Sequence, residues 1–179
     1  MSPAVRGVGV DIVDLGAFAA SLAEPGTRFT GAFSATERRQ CRERAEARGA
    51  GRGADTAGAD GPGAGTSSSS SGQAHHQATH PTHHQARHLA ARWAVKEAVV
   101  KAWSAALYGT PPPIAPDLLV WSEIETVCDA WGRPSVRLSG EVARQVSATV
   151  GEGARWNVSL SHDGGSAVAF VVLEGPATG

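Results

Sequence analysis

The sequence predicts an α+β domain with a mainly antiparallel sheet packed on one long central helix. Three observations carry this. Ala, Leu, Arg, Lys and Glu dominate His88 to Trp103, and neither Gly nor Pro interrupts the chain from Arg87 to Tyr108, so the segment reads as a long helix. Near both ends of the chain, apolar residues recur with period two or run on as in strands. Asp163-Gly164-Gly165 separates the last two of these segments and is a strong hairpin signal.

Taken in order, Val5 to Val13 reads as a strand. Val8, Val10 and Ile12 share one face; Gly7, Gly9 and Asp11 share the other. Glycines inside a strand signal close approach of another backbone or a ligand. Gly7-Val8-Gly9 does not continue as a dinucleotide fingerprint, so a Rossmann reading is rejected. Asp14 can cap a short helix through Phe18 and Leu22, which Pro25-Gly26 stops. Thr27 to Ala32 is a connector. Ser34 and Glu37 form a capping box for a helix bearing Arg38, Arg39, Arg42, Arg44 and Arg48, a solvated face balanced by Glu37, Glu43 and Glu46.

From Gly49 to about Gln85 the composition shifts to Gly, Ala, Ser and Thr. Such a segment buries too little to offset its ordering entropy and is expected to be a disordered insertion. Its end carries His75, His76, His80, His83 and His84, with His88 beyond. That cluster is a possible transition-metal ligand set, but without Cys partners it reads more simply as a low-complexity polar tract.

In the central helix, Leu89, Trp93, Val100, Trp103 and Leu107 fall on one stripe, read as core. Ala90, Ala94, Glu97 and Lys101 lie on its flank, where the small alanines leave room for a ligand or a neighbouring subunit. Gly109 to Pro116 is a rigid irregular connection. Ser122 to Cys128 and Ser135 to Leu138 flank the turn Trp131-Gly-Arg-Pro134 and form a second hairpin. Gly140 to Val150 reads as a helix with Val142, Val146 and Val150 at spacings of four. Arg155 to His162 is a strand with Val158, Leu160 and His162 on one face. Ser166 to Leu173 is almost wholly apolar and is expected to be a buried central strand.

The totals limit the function. The chain has 179 residues, 16 Lys+Arg against 17 Asp+Glu, and a formal net charge of −1. One domain spanning 1–179 is expected, and the charge balance favours neither nucleic acid nor an anionic membrane as a partner. The two cysteines, Cys41 and Cys128, make no disulfide framework and fit a reducing, cytoplasmic setting. The N-terminus lacks the apolar run of a signal peptide. No stretch approaches the roughly 18 apolar residues of a membrane span.

Chemistry gathers at Asp11, at Glu97 with Lys101 one turn on, and at Ser161-His162. Read alone, Glu97 and Lys101 are a surface ion pair, Asp11 a strand-end residue and His162 a structural histidine. Read together, two carboxylates suit Mg²⁺, which keeps several waters and takes further ligands from phosphates. The lysine can neutralise phosphate charge, and the histidine can donate to a phosphate or shuttle a proton. The set points to metal-assisted phosphoryl-type transfer.

Three ordered motifs sharpen this: Gly7-Val-Gly-Val-Asp11-Ile-Val, Arg87-His-Leu-Ala-Ala-Arg-Trp-Ala-Val-Lys-Glu97-Ala-Val-Val-Lys101-Ala, and Trp156-Asn-Val-Ser-Leu-Ser-His162. Together they resemble holo-acyl-carrier-protein synthase, the small bacterial-type branch of the 4′-phosphopantetheinyl transferases, and the wording of the central motif is similar to actinobacterial members. The Gly-Arg-Pro turn and the terminal Ala-Val-Ala-Phe-Val-Val strand also fit. The resemblance covers nearly all of the chain outside the insertion. It implies transfer of 4′-phosphopantetheine from coenzyme A to a serine of an acyl carrier protein, in fatty-acid, polyketide or other synthesis, releasing adenosine 3′,5′-bisphosphate. Asp11 and Glu97 would hold Mg²⁺ against the pyrophosphate of coenzyme A. Glu97 or a metal-bound water would take the serine proton, and Lys101 would stabilise phosphate charge. Arg92 and His162 would contact coenzyme A. Relatives of this short type form homotrimers with sites between neighbours. The rival from another class is a non-catalytic protein of the same fold that binds coenzyme A, or a metal through its His-rich tract.

Two departures from the family pattern stand out. Many relatives carry a Gly-Thr-Gly loop after the second lysine, where this chain has Trp103-Ser104-Ala105, so adenine-side contacts do not carry over. The first helix, Asp14 to Glu24, has no Lys or Arg to meet an acidic carrier. Arg28, Arg38, Arg39 and Arg42 could share that docking.

Overall fold

The computed structural model describes residues 3–54 and 83–176. Strand β1 (Pro3–Asp14) leads into helix α1 (Leu15–Ala23), a 3-10 turn (Phe29–Ala32), helix α2 (Ala35–Ala54) and the long helix α3 (His83–Ala106). Then come strands β2 (Ile124–Cys128) and β3 (Pro134–Leu138), helix α4 (Gly140–Val150), and strands β4 (Arg155–Asp163) and β5 (Ser166–Pro176). The sheet is split in two. One sheet has the order β1-β5-β4, the other is the β2-β3 hairpin, and every pairing is antiparallel.

The local signals act as expected. The Asp14 carboxylate accepts from Ala17 N at 2.7 Å and starts α1. Ser34 Oγ accepts from Glu37 N at 3.1 Å while Glu37 Oε2 accepts from Ser34 N at 2.9 Å, which closes the capping box at the head of α2. Gly132, at φ 87°, makes the turn between β2 and β3. The ends of the low-complexity segment differ from expectation. Residues 49–54 continue α2, and 83–85 already belong to α3. Extending a nucleated helix costs far less than starting one, so alanines at its end prolong it despite the glycines. The rest of that segment, including His75, His76 and His80, lies outside the described residues.

Helix α3 is buried on most sides, not along one stripe. Ala90, Ala94, Val95, Ala98, Val99 and Ala102 are fully covered, whereas Trp93, Val100 and Leu107 are only half-buried. The room beside Ala90 and Ala94 is filled by the chain's own two cores. Ala94 belongs to the core that includes Val171 and Leu173 of β5, and Ala90 to the core that includes Phe18 and Phe33. The close approach comes from β1. A Cβ on Gly9 would lie 2.7 Å from Ala102 N and closer still to the Ala98 carbonyl oxygen, and one on Gly7 would lie 3.0 Å from Ala106 N. Backbone thus packs on backbone, and no side chain can be inserted without moving the strand. Gly9→Ala is expected to cost about 1–3 kcal/mol, the usual penalty of overpacking; an unchanged urea midpoint would show that β1 can lift off α3 freely.

Strand β5 is central, as predicted, but not buried on both faces. Ala167, Ala169, Val171 and Leu173 face the core, while Phe170 on the opposite face is 47% exposed. β1 continues this open face with Val8, Val10 and Ile12, the last 70% exposed.

Candidate active site

The glycine register of β1 builds the site. Gly7, Gly9 and Asp11 point to the same side of the strand, and the two glycines lie over Ala102 and Ala98. The next residue on that side is Asp11, which comes alongside the α3 turn bearing Glu97 and Lys101. Lys101 Nζ donates to Asp11 Oδ1 at 2.8 Å and to the Val10 carbonyl at 3.2 Å. Glu97 is half-buried. Burial holds its carboxyl above the usual carboxylate range, Asp11 adds to that shift, and Lys101 partly offsets it. The structure therefore brings Asp11, Glu97 and Lys101 together.

Two clefts meet at Glu97. The first, of ≈ 440 Å³, is lined by Asp11, Asp14, Phe18, Phe29, Trp93 and Glu97. The second, of ≈ 420 Å³, runs from Glu97 past Val100, Trp103 and Ser104 to Ile114, Leu119 and Trp121. Trp93 lies between Phe29 and Trp121, each ring centroid 4.7 Å away. It packs against the core, as its place on the stripe predicts, and walls the cleft as well. At the sequence level nothing distinguishes a core tryptophan from one that walls a cleft.

Two carboxylates with hard oxygen donors, one of them held above its usual range by burial and then by its like-charged neighbour, and a lysine that bridges to the other form a set that fits Mg²⁺. Among the described residues no group of three or more His, Cys, Asp or Glu side chains is arranged to hold a metal, so further ligands would come from water and substrate. The raised pKa has a consequence for pH. Protonated Glu97 cannot ligate a cation, and it takes up its proton above the normal carboxylate range. Mg²⁺ affinity, measured by calorimetry, is expected to decline as pH falls through a window above that of an ordinary glutamate. An affinity that is flat until the usual glutamate range would contradict this.

His162 and Arg92 stand elsewhere. His162 lies at the end of β4, paired with Ala167, which in turn faces Val13 on β1. Its Nδ1 is 2.9 Å from Arg87 Nη2, and its ring centroid is 5.5 Å from that of His88. Arg92 is 1% exposed. It donates to the His88 carbonyl at 3.2 Å and approaches Cys128 Sγ at 3.8 Å. The structure does not bring it to the Asp11 cleft.

The sequence reading missed a buried pair. Glu37, placed on a solvated face, is fully covered, as is Lys96. Lys96 Nζ donates to Glu37 Oε2 at 2.9 Å and to the carbonyls of Trp121 and Ile124. Glu37 Oε1 accepts from Thr126 N at 2.9 Å. The capping box was legible; that its glutamate also faces a buried lysine was not. Cys41 is buried next to this region, and burial pushes its thiol up to about 12, which fits an inert packing residue.

Comparison with known proteins follows the same line. Residues 69–171 match the model of the 4′-phosphopantetheinyl transferase superfamily. A holo-[acyl-carrier-protein] synthase of Corynebacterium glutamicum is 39% identical over 93% of this chain and 96% of its own length. One from Bifidobacterium animalis is 40% identical over 94% and 97%. The solved Chronobacterium ammoniagenes ACPS–CoA complex shares 34% identity at a TM-score of 0.71, covering 99% of this chain and 100% of that one.

Proposed function

Because the chain belongs to the 4′-phosphopantetheinyl transferase superfamily, we propose that it transfers 4′-phosphopantetheine from coenzyme A to a serine of an apo-acyl carrier protein. The observation that carries the reading is the convergence of Asp11, Glu97 and Lys101 at the meeting of two clefts.

Asp11 and Glu97 are the residues that would hold Mg²⁺, and the ion would neutralise charge on the pyrophosphate of coenzyme A. Lys101, half-exposed on a flexible stem, moves from the Asp11 carboxylate to a phosphate oxygen when substrate arrives. The carrier serine Oγ forms a bond to the β-phosphorus, and the bond from that phosphorus to the bridging oxygen breaks. The electron pair leaves on adenosine 3′,5′-bisphosphate. Glu97 accepts the serine proton, through a carboxylate oxygen or a water it holds. Of the two expected coenzyme A contacts we keep His162. The burial of Arg92 supports a role in tying α3 to β2.

The homotrimer expected from the resemblance is supported by the open apolar face of β1 and β5, which includes Val8, Val10, Ile12 and Phe170. A patch of this kind marks a surface that another protein covers. Ile12→Lys is expected to convert the assembly to monomers in sedimentation equilibrium. A wild-type chain that stays monomeric at all concentrations would remove the trimer from the proposal. A cytoplasmic site of action fits the free cysteines, and among the described residues no helix is long and apolar enough to cross a membrane.

The direct test is to incubate the protein with coenzyme A, Mg²⁺ and apo-carrier proteins and to weigh the carriers. A mass gain of one phosphopantetheine group is expected. No gain with any carrier would leave the non-catalytic coenzyme A-binding reading.

A further inference from the structure

The bond between Arg87 and His162 has a chemical direction. A guanidinium has only N–H donors and no acceptor, and it does not lose its proton in proteins. Arg87 Nη2 lies 2.9 Å from His162 Nδ1. That nitrogen must therefore be the acceptor, and the imidazole that accepts there carries its hydrogen on Nε2. Among the described residues no carboxylate pairs with Arg87, and its Nε is buried without a partner. Its guanidinium is hydrogen-bonded to the histidine. Arg87 stands on the first turns of α3, and His162 ends β4 beside the hairpin Asp163-Gly164-Gly165. The bond thus joins the helix that carries Glu97 to the strand end that carries the histidine. His88, buried on the same helix, packs its ring against the same imidazole.

We propose that Arg87 is a positioning residue which sets the Nε2–H tautomer and the ring orientation of His162, so that this histidine acts toward the anionic substrate as a fixed hydrogen-bond donor. This rests on the reading of His162 as a coenzyme A contact. It gives Arg87 a role through His162 and no contact of its own with the reacting atoms. An arginine does this without ambiguity. A carboxylate or carbonyl on Nδ1 would select the opposite tautomer and leave Nε2 as an acceptor, the wrong polarity for a phosphate.

The test uses the full-length protein labelled with ¹⁵N, and His162→Gln identifies the imidazole signals of His162. Two-bond proton–nitrogen correlation then reports which ring nitrogen is protonated. The wild type is expected to show the Nε2–H tautomer. Arg87→Met, which keeps length and loses the donors, is expected to populate the Nδ1–H form and to raise KM for coenzyme A about tenfold, with kcat largely kept. Arg87→Lys restores a donor at similar reach and is expected to recover both readouts. A wild-type His162 protonated at Nδ1, or a tautomer that Arg87→Met leaves unchanged, overturns the proposal. A tautomer shift with unchanged KM overturns its link to substrate. Absence of carrier modification by the wild type with the tautomer result intact overturns the transferase reading and leaves the Arg87–His162 coupling standing.

Discussion

Glu97→Gln is expected to lower carrier modification by about a thousandfold or more, the equivalent of roughly 4 kcal/mol of transition-state stabilisation, while the fold stays in place. Glutamine keeps the size of the side chain but removes the charge that would hold Mg²⁺ and the basic oxygen that would accept the serine proton. The stability side of this prediction has a definite sign. Glu97 is raised above the ordinary carboxylate range by burial and by Asp11. The folded state therefore binds this proton more tightly than the unfolded state, and stability from this group declines as pH rises from the unfolded value into the raised range. Above that raised range and without metal the ionised carboxylate is a burden on the fold. The Gln variant should then melt no lower than the wild type. Saturating Mg²⁺ should stabilise the wild type and leave the variant unmoved, because a ligand stabilises only the state that binds it. Undiminished transfer by the variant would show that Glu97 neither holds the ion nor takes the proton.

Lys96→Met is expected to be the most destabilising of the substitutions considered. It leaves the Glu37 carboxylate buried opposite no cation and removes the donor to the Trp121 and Ile124 carbonyls. Breaking one side of a buried pair typically costs about 3–5 kcal/mol, because the remaining charge is uncompensated. Urea unfolding should show a much lower midpoint with an unchanged slope. The double variant Glu37→Gln, Lys96→Met removes both charges and keeps an acceptor for the backbone N–H groups of Ser34 and Thr126. It should regain a large part of the loss. A single variant within about 1 kcal/mol of the wild type, against that 3–5 kcal/mol expectation, would mean that the pair does not hold α2 and β2 against α3. Burial pulls Lys96 below the usual lysine range, and Glu37 offsets this only in part. The unfolded chain thus keeps this proton to higher pH than the fold does, so the contribution of Lys96 improves as pH rises toward the ordinary lysine range.

Residues 92–101 show how much was legible. Glu97 and Lys101 were placed on one flank by helical spacing, and resemblance to relatives, not spacing, lifted them from a surface pair to a site. Lys96, one residue before Glu97, was passed over, since its partner Glu37 is 59 positions away and no periodicity links them. Arg92 is a substrate contact by motif position alone, and its burial against His88 and Cys128 is not visible in that motif. Trp93 and Trp103 were alike as apolar members of one stripe, yet one walls the first cleft and the other the second.

Signals that act within a few residues were determined by the sequence alone: the Ser34–Glu37 capping box, the Asp14 cap, the two hairpin turns and the alternation along β4. Each depends on hydrogen bonds or steric limits that close over two to four positions. The tertiary structure alone decided which long-range partners those elements meet. Gly7 and Gly9 let β1 lie on the backbone of α3, and that contact sets Asp11 beside Lys101 and Glu97. One face of β5 was left open although its sequence is apolar on both sides. The reason is physical: burial and the pairing of charges depend on which surfaces come together when the chain packs, and a linear pattern records only that a residue can be buried or paired, not by what.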